Sequence, residues 1–290
     1  MNKIIVSVIV PFYNSGKYIE RCVKALLDQT NTDDRYEIIL VNNNSADSSA
    51  DILCRYPQIK LISEKQRGSY AARNRGLKDA MGEIIAFTDS DCVPAANWLK
   101  EIESAMASPG VGIAIGSCRF PRESIPLSML EDYENEKNKY VFTSGIEKLY
   151  YGHTRNMAVR KRLFDELGPF LERARGSDTI FIQRCIDRYS CNIVRYCPQM
   201  QVRHLEIDSP YKYFRKLYVY GKSSSKYSQV VNARSLTNRE RYQVFRSTSN
   251  TREYSWFKTM AFMCLLVIGY FYWISGSLTN ALISGKGANK

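Results

Sequence analysis

The sequence predicts an α/β protein with a mixed, mostly parallel sheet flanked by helices, followed by a C-terminal helical extension that associates with a membrane. Three observations predict it. Short β-branched runs alternate with segments of helical periodicity at the spacing of βαβ units. Polar clusters at residues 11–14, 42–45 and 89–91 follow three of those runs. Residues 259–285 carry no charge.

Taken in order, residues 4–10 are a β-branched run stopped by Pro11, which reads as a buried strand. Asn14 and Ser15 can cap the next helix, where Ile19, Cys22, Val23, Leu26 and Leu27 share one face. A second strand is expected over 37–41, a helix over 47–55 and a third strand over 59–62. A helix over 69–81, closed by Gly82, leads to a fourth strand over 83–88. The second half is less regular. It predicts strands over 111–118, 156–160 and 192–196, and helices over 125–140, up to 167, over 178–189 and over 211–227. Ligands of open parallel sheets bind at the carboxyl ends of the strands, so three polar loops on that edge make one site.

The composition, 44% hydrophobic and 24% charged, is that of a globular chain and excludes a disordered one. The eight cysteines contain no C-x-x-C pair, and the even spacing of Cys185, Cys191 and Cys197 matches no zinc pattern, so reduced cytosolic thiols are expected. The N-terminal apolar run is short for a signal peptide and lacks a small-residue cleavage pattern. Residues 209–258 hold eleven Lys/Arg and two acids, about three quarters of the net charge of +12, along with seven Tyr. Such a stretch suits nucleic acid or an anionic membrane. The apolar run after it decides for the membrane and against nucleic acid. Residues 261–274 alone fit a buried or interfacial helix, but with 259–260 and 275–283 they reach the length of about 20 residues that spans a bilayer. Trp256, Tyr270, Tyr272 and Trp273 are aromatics of the kind found near membrane interfaces. The positive-inside rule puts the main domain at the cytoplasmic face of the cell membrane, with the bacterial inner membrane expected. The expected organisation is a catalytic-type domain over 1–208, a basic aromatic helical segment over 209–258, a membrane segment over 259–283 and a tail over 284–290.

Asp89-Ser90-Asp91 carries the sharpest chemistry. Two carboxylates two residues apart after a strand can grip a hard divalent cation shared with substrate phosphates. D-x-D is also common in solvated loops and helix caps, so its neighbours matter.

Those neighbours are residues 7–14 (SVIVPFYN), 41–47 (VNNNSAD), 71–76 (AARNRG) and 87–91 (FTDSD), in that order. Together they resemble the family 2 glycosyltransferases, which have the GT-A (Rossmann-like) fold, over roughly residues 4–220. The resemblance implies inverting transfer from a nucleoside-diphosphate sugar to an acceptor hydroxyl, with Mg²⁺ or Mn²⁺ as cofactor. Pro11, Tyr13 and Asn14 match the loop that cradles the base and ribose, although Pro11 also serves as a strand terminator. The family carries two acids where Asn42 and Asn43 stand. An amide oxygen can still accept from a base N–H, but the lost charge leaves the nucleotide open. Arg73 matches a phosphate-facing arginine and is otherwise a solvated helix charge. Gly68 allows a tight backbone approach, Ser90 joins the donor site, and Asp89 and Asp91 match the metal pair. In the family an acidic pair opens a helix after a Gly. Here Ser177 replaces the first acid and Asp178 fills the second, as general base, as helix N-cap, or as both. His153, Arg155 and Asn156, in the matching segment 152–158 (GHTRNMA), are expected at the acceptor or the diphosphate. His204 follows a strand where some GT-A enzymes place a third metal ligand, and is otherwise structural. Arg215 and Lys216 reach either the diphosphate or the membrane.

The expected partners are therefore a nucleotide-sugar donor, a lipid-linked or surface-glycan acceptor, and membrane lipids. The absence of a Q-x-x-R-W motif implies single addition rather than polymer synthesis. The Asn42, Asn43 and Ser177 replacements leave open a nucleotide-sugar-binding membrane protein without activity. A nucleotidyltransferase would want a Gly-rich phosphate loop, which residues 10–16 lack. No P-loop signature and no G-x-S-x-G elbow occur.

Overall fold

The computed structural model describes residues 4–30, 35–121, 124–227 and 230–287. Residues 288–290 of the expected tail lie outside the described residues. The core is an eight-stranded sheet in the order β3-β2-β1-β4-β7-β6-β8-β5.

The first half alternates strand and helix. It comprises β1 (Val6–Phe12), α1 (Ile19–Leu27), β2 (Tyr36–Asn42), α2 (Ser49–Leu53), β3 (Lys60–Ser63), α3 (Ser69–Asp79) and β4 (Ile84–Thr88). β1 pairs in parallel with β2 and β4, and β2 with β3. β1 is buried along its whole length, as expected of a central parallel strand. It runs one residue past Pro11 to Phe12, beyond the end expected from the sequence. Pro11 is tolerated because the ladder with β4 stops at Ile9, so the missing N–H faces no partner strand.

A short strand, β5 (Cys92–Pro94), and α4 (Trp98–Met106) follow, neither of which the sequence pattern gave. The remaining strands are β6 (Ile113–Arg119), β7 (Asn156–Arg160) and β8 (Val194–His204). They are separated by α5 (Ile125–Thr143), α6 (Lys161–Leu167) and α7 (Ser177–Tyr189). β7 inserts antiparallel between β4 and β6, with Thr88 opposite Asn156. This reversal brings the chain before β7 to the same edge as the end of β4. β8 is far longer than the stretch 192–196 and pairs antiparallel with β5, with Cys92 opposite His204. The second half of β8 alternates buried and open residues (Met200, Val202 and His204 inward), the period-2 pattern of a strand with one covered face.

Three helices close the chain: α8 (Pro210–Tyr227), α9 (Asn238–Thr251) and α10 (Trp256–Gly287). Helix α9 begins at a capping box in which the Thr237 side chain and Glu240 satisfy each other's backbone N–H groups. α10 includes residues 259–283. Its Trp256–Thr279 stretch has mean hydropathy 1.7 with 17% of its most apolar window buried, making it long and apolar enough to cross a membrane. α8 packs directly on α10. A Cβ at Gly221 would lie 2.0 Å from the Trp273 carbonyl oxygen, and one at Gly276 2.0 Å from that of Tyr218. Small residues that let helix backbones meet are typical of membrane helix pairs.

Candidate active site

One cavity of about 990 Å³ opens along the carboxyl edge of the sheet. Its lining includes Pro11, Tyr13, Asn14, Asn43, Arg73, Asp89, Ser90, Asp91 and Asp178. His153, Arg155 and His204 line it beyond these. Twelve of the residues singled out from sequence therefore meet in one space.

The loops after the parallel strands are tied to one another. Asn14, at φ 48°, accepts at its side-chain oxygen from Ala46 N (2.9 Å), and its own N–H donates to Ser45 Oγ (3.0 Å). Ser15 Oγ lies 2.8 Å from Ser90 Oγ, which joins the first loop to the aspartate loop. Asn43 donates to the carbonyls of Glu64 and Gln66 and accepts from Gly68 N (2.8 Å). Asn42 accepts from Ser45 N (2.9 Å). Asn43 thus knits the loops after β2 and β3 together, while Asn42 braces the turn after β2. Asn42 does not line the cavity. Gly68 does not line it either; its φ of 133° is a conformation that L side chains rarely adopt, and this is what requires glycine before α3.

Arg73 is buried on α3 and donates to Asp89 Oδ1 at 2.5 Å. Its guanidinium stacks over the Tyr70 ring, one helical turn back, and Tyr70 donates to Asp178 Oδ1 at 2.8 Å. Tyr70 was not among the residues expected from sequence, though its i,i+3 spacing to Arg73 places both on one helix face. Asp178 sits in the first turn of α7 after Gly176, which has φ 81°. Its Oδ1 also accepts from Thr179 N (2.9 Å), while Oδ2 has only a long contact from Thr154 N (3.4 Å). Burial pushes the Asp178 carboxyl above the usual carboxylate range, against the lowering effects of Tyr70 and Arg73. Gly152 lets the preceding loop touch this helix start, since a Cβ there would meet Asp178 Cβ at 2.6 Å.

β5 and β8 set His204 beside Asp91, with His204 Nδ1 3.5 Å from Asp91 Oδ2. That nitrogen is buried and has no hydrogen-bond partner. Burial holds the imidazole well below its ordinary pKa, hence neutral, and pushes Asp91 up to about 7, with Asp89 adding to the rise. A carboxylate oxygen and an orphaned neutral imidazole nitrogen facing each other fit a divalent cation of the Mg²⁺ or Mn²⁺ kind. Cys92 Sγ lies in the same cluster, but its buried thiol is held protonated and adds no hard ligand. On the other side of the ring, Lys216 Nζ of α8 lies 2.6 Å from Nε2. Lys216 therefore faces the cavity, whereas Arg215 is exposed and does not line it.

Asn156 departs from its expected place. Its amide is fully buried, accepts from Trp98 Nε1 (2.8 Å) and donates to the carbonyls of Ser117 and Met200 (2.7 Å each). It brackets α4, β6 and β8 and does not line the cavity.

A parallel sheet with an aspartate pair at its carboxyl edge and an antiparallel strand beside it is the architecture of GT-A proteins. The model for glycosyl transferase family 2 matches residues 7–168, and the chain belongs to that family. It is 33% identical to the glycosyltransferase AglE of Haloferax volcanii over 190 residues, covering 63% of this chain and 61% of AglE. It is also 33% identical to the poly(ribitol-phosphate) beta-glucosyltransferase of Bacillus spizizenii over 156 residues, 50% of this chain and 25% of that one. The chain thus spans less than two thirds of either relative. Among solved structures, the mannosyltransferase PcManGT from Pyrobaculum calidifontis, in complex with GDP-Man and Mn²⁺, superposes with a TM-score of 0.63 at 18% identity, covering 97% of this chain and 88% of that one. S. aureus TarS 1-349 in complex with UDP-GlcNAc superposes with a TM-score of 0.55 at 19% identity, over 83% of this chain and 70% of that one. Both likenesses are of fold.

Proposed function

We propose that the chain is a metal-dependent, inverting glycosyltransferase that moves a sugar from a nucleoside-diphosphate sugar to an acceptor hydroxyl. The observation that carries this reading is that Asp91 with His204, and Asp178, face one cavity from separate elements. Pro11, Tyr13, Asn14 and Asn43 form its nucleotide end. Asp91 and His204 would hold Mg²⁺ or Mn²⁺, with Asp89 nearby. When bound, such an ion supplies charge neutralisation to the leaving diphosphate. Arg73 holds Asp89 in place and presents a buried cation beside it. Asp178 Oδ2 takes the acceptor proton; its raised pKa makes it a stronger base than an exposed carboxylate, and Tyr70 and Thr179 fix its other oxygen. His153 and Arg155 lie on the acceptor side, between Asp178 and the helices α8 and α10. The catalytic domain covers 1–208, and residues 209–283 hold it to the cytoplasmic face of a membrane through the basic segment and α10.

The test is isothermal titration of the full chain with UDP and with GDP, with and without Mn²⁺, for the wild type and Asp91→Ala. Metal-dependent binding of one nucleotide, abolished by the substitution, is expected. Binding of neither nucleotide under any condition would overturn the donor assignment. For the membrane, the chain is expected to stay in the pellet after high-salt and alkaline washing of membranes; release by salt alone would restrict the attachment to the basic surface.

A further inference from the structure

Tyr70 stands one residue before the run 71–76 and is the side chain of α3 that bonds the proposed base. It is 6% exposed, lines the cavity and packs its ring on Phe170 at a centroid distance of 5.5 Å. The Arg73 guanidinium lies 5.5 Å from the centre of the same ring, and Arg73 is bound in turn to Asp89. The Tyr70 hydroxyl donates to Asp178 Oδ1 at 2.8 Å, across 108 residues of chain. Ring and hydroxyl thus have separate partners. The core and Arg73 fix the ring, and the fixed ring aims the hydroxyl at the carboxylate. A phenol donates only while it is protonated. Burial and the adjacent Asp178 push the Tyr70 hydroxyl well above its ordinary range, so it remains a donor at neutral pH.

Asp178 faces opposed demands. Burial favours its protonated form, whereas a base must be ionised to accept a proton. Of the groups that act against burial, the Tyr70 hydroxyl is the strongest, ahead of the Arg73 charge and the N–H groups of Thr179 and Thr154. The charged and titratable groups around it are Tyr70 and Arg73 from α3, His153 in the loop before β7, held neutral by burial, and the exposed Arg175 just before α7. Oδ1 is taken by Tyr70 and by Thr179 N, which leaves Oδ2 with one long contact at 3.4 Å. We infer that Tyr70 is the positioning residue of Asp178: its hydroxyl stabilises the buried carboxylate through Oδ1 and leaves Oδ2 to take the acceptor proton. Tyr70 acts on the reaction through Asp178 and not on the sugar. The inference rests on the proposed function only in calling Asp178 the base.

Tyr70→Phe keeps the ring and removes only the hydroxyl. The experiment follows thermal unfolding of the full chain in dodecyl maltoside at several pH values for the wild type, Tyr70→Phe, Asp178→Asn and the double variant. Because the folded-state pKa of Asp178 is raised, the stability it contributes is present at low pH and lost as pH rises through that value. Without the hydroxyl the rise is larger, and so is the loss. The fall in Tm caused by Tyr70→Phe is therefore expected to be greater at pH 8 than at pH 5, by about 2 °C or more, and to be the same at both in the Asp178→Asn background. Mn²⁺-dependent binding of UDP or GDP is expected to stay within about twofold of wild type, because Arg73 keeps the ring beneath it. Transfer to water from UDP-glucose or GDP-mannose is expected to show an acid limb about one pH unit or more higher in Tyr70→Phe than in the wild type. The inference is overturned if the fall in Tm is equal at the two pH values, if its pH dependence persists in the Asp178→Asn background, or if the acid limb does not move. Weaker nucleotide binding in Tyr70→Phe without a pH-dependent fall in Tm would place the residue on the donor side and overturn it as well. A protein that binds neither nucleotide and still shows the pH-dependent loss through Asp178 would leave the pair standing and sink the glycosyltransferase reading instead.

Discussion

On the β1–β4 side of the sheet the polar groups of the site sit on loops, apart from Arg73 on α3; on the β7–β8 side Asp178, His204 and Lys216 sit on helices and a strand end, with His153 and Arg155 on the loop before β7. The loops after β1, β2 and β4 hold one another by direct hydrogen bonds, such as Asn14 to Ala46, Ser15 to Ser90 and Asn43 to Gly68. Asp178, His204 and Lys216 are instead placed by packing between distant segments: Gly152 against the start of α7, β5 against the end of β8, and α8 against α10. Loop-to-loop hydrogen bonding can fix a binding loop with little burial. Carboxylates and imidazoles that must work with shifted pKa values need burial, and burial requires elements that arrive from far along the chain.

The largest effect expected from this contrast is at Asp178. Asp178→Asn should lower kcat by about 10²- to 10⁴-fold, the usual contribution of a positioned base. It should do so without loss of thermal stability at neutral pH. The folded-state pKa of Asp178 is raised, so its protonated form is favoured in the fold. The stability it contributes is present below the unfolded pKa and is lost as pH rises through the folded one. An amide, which carries no charge and whose oxygen can still accept from Tyr70 and Thr179, escapes that loss. A variant with kcat near wild type would remove Asp178 as the base, and a large fall in Tm would make its role mainly structural, since Gly176 and not Asp178 is the N-cap of α7.

Asp91 gives the next effect. Its carboxyl is pushed up to about 7 by burial and by Asp89, so below pH 7 a divalent ion must displace a proton to bind. Mn²⁺ is expected to bind roughly tenfold more tightly at pH 8 than at pH 6, and the residual binding in Asp91→Asn is expected to be flat with pH. A flat profile in the wild type would mean that Asp91 is already ionised at pH 6 and is not the group the ion meets.

The same contrast explains what was legible in the sequence. The first half has strong period-2 and period-3.6 patterns, and its ligand loops directly follow strands, so Pro11, Asn14, Asp89 and Asp91 could be placed by topology alone. The motif resemblance pointed to Arg73, and the family's acidic pair after a Gly pointed to Asp178. Reading failed where tertiary packing decides. Asn156 lies in the matching segment but turns into the core, because β7 runs antiparallel and aims it at Trp98 and Ser117. Asn42 and Asn43 read as lost charge, whereas their amides are loop braces. α9 was visible in principle, since Thr237 and Glu240 make a capping box, but its weak apolar periodicity hid it among basic residues.

Breaking the packed half without touching a ligand group should separate the two modes. Gly276→Leu forces a side chain into the space held by the Tyr218 carbonyl and is expected to cost about 2 kcal/mol or more, as overpacking does. Ser275→Leu, one residue away on an exposed face, is the control and is expected to be near neutral. Thermal unfolding of the two proteins in detergent measures the difference. Equal stability would mean that α8 and α10 need not pack closely, and the positioning of Lys216 would then need another explanation.

The smallest effect concerns that lysine. With Nζ 2.6 Å from His204 Nε2, the Lys216 ammonium places a positive charge next to the groups that face a metal. An ion bound by Asp91 and His204 would meet this charge, and two charges about 4 Å apart repel by roughly 1 kcal/mol in water and more where burial lowers the dielectric. Lys216→Met keeps the length of the stem and removes the charge. In the absence of nucleotide it is expected to bind Mn²⁺ about three- to tenfold more tightly than wild type, while binding of the nucleoside diphosphate with Mn²⁺ is expected to weaken because the displaced ammonium no longer meets a phosphate. Opposite signs in the two titrations would show that the lysine, held by α8 and therefore by α10, trades its place at His204 for one at the diphosphate. Weaker Mn²⁺ binding in the variant would instead make Lys216 a brace for His204, one more buried group positioned by the long-range packing of the second half.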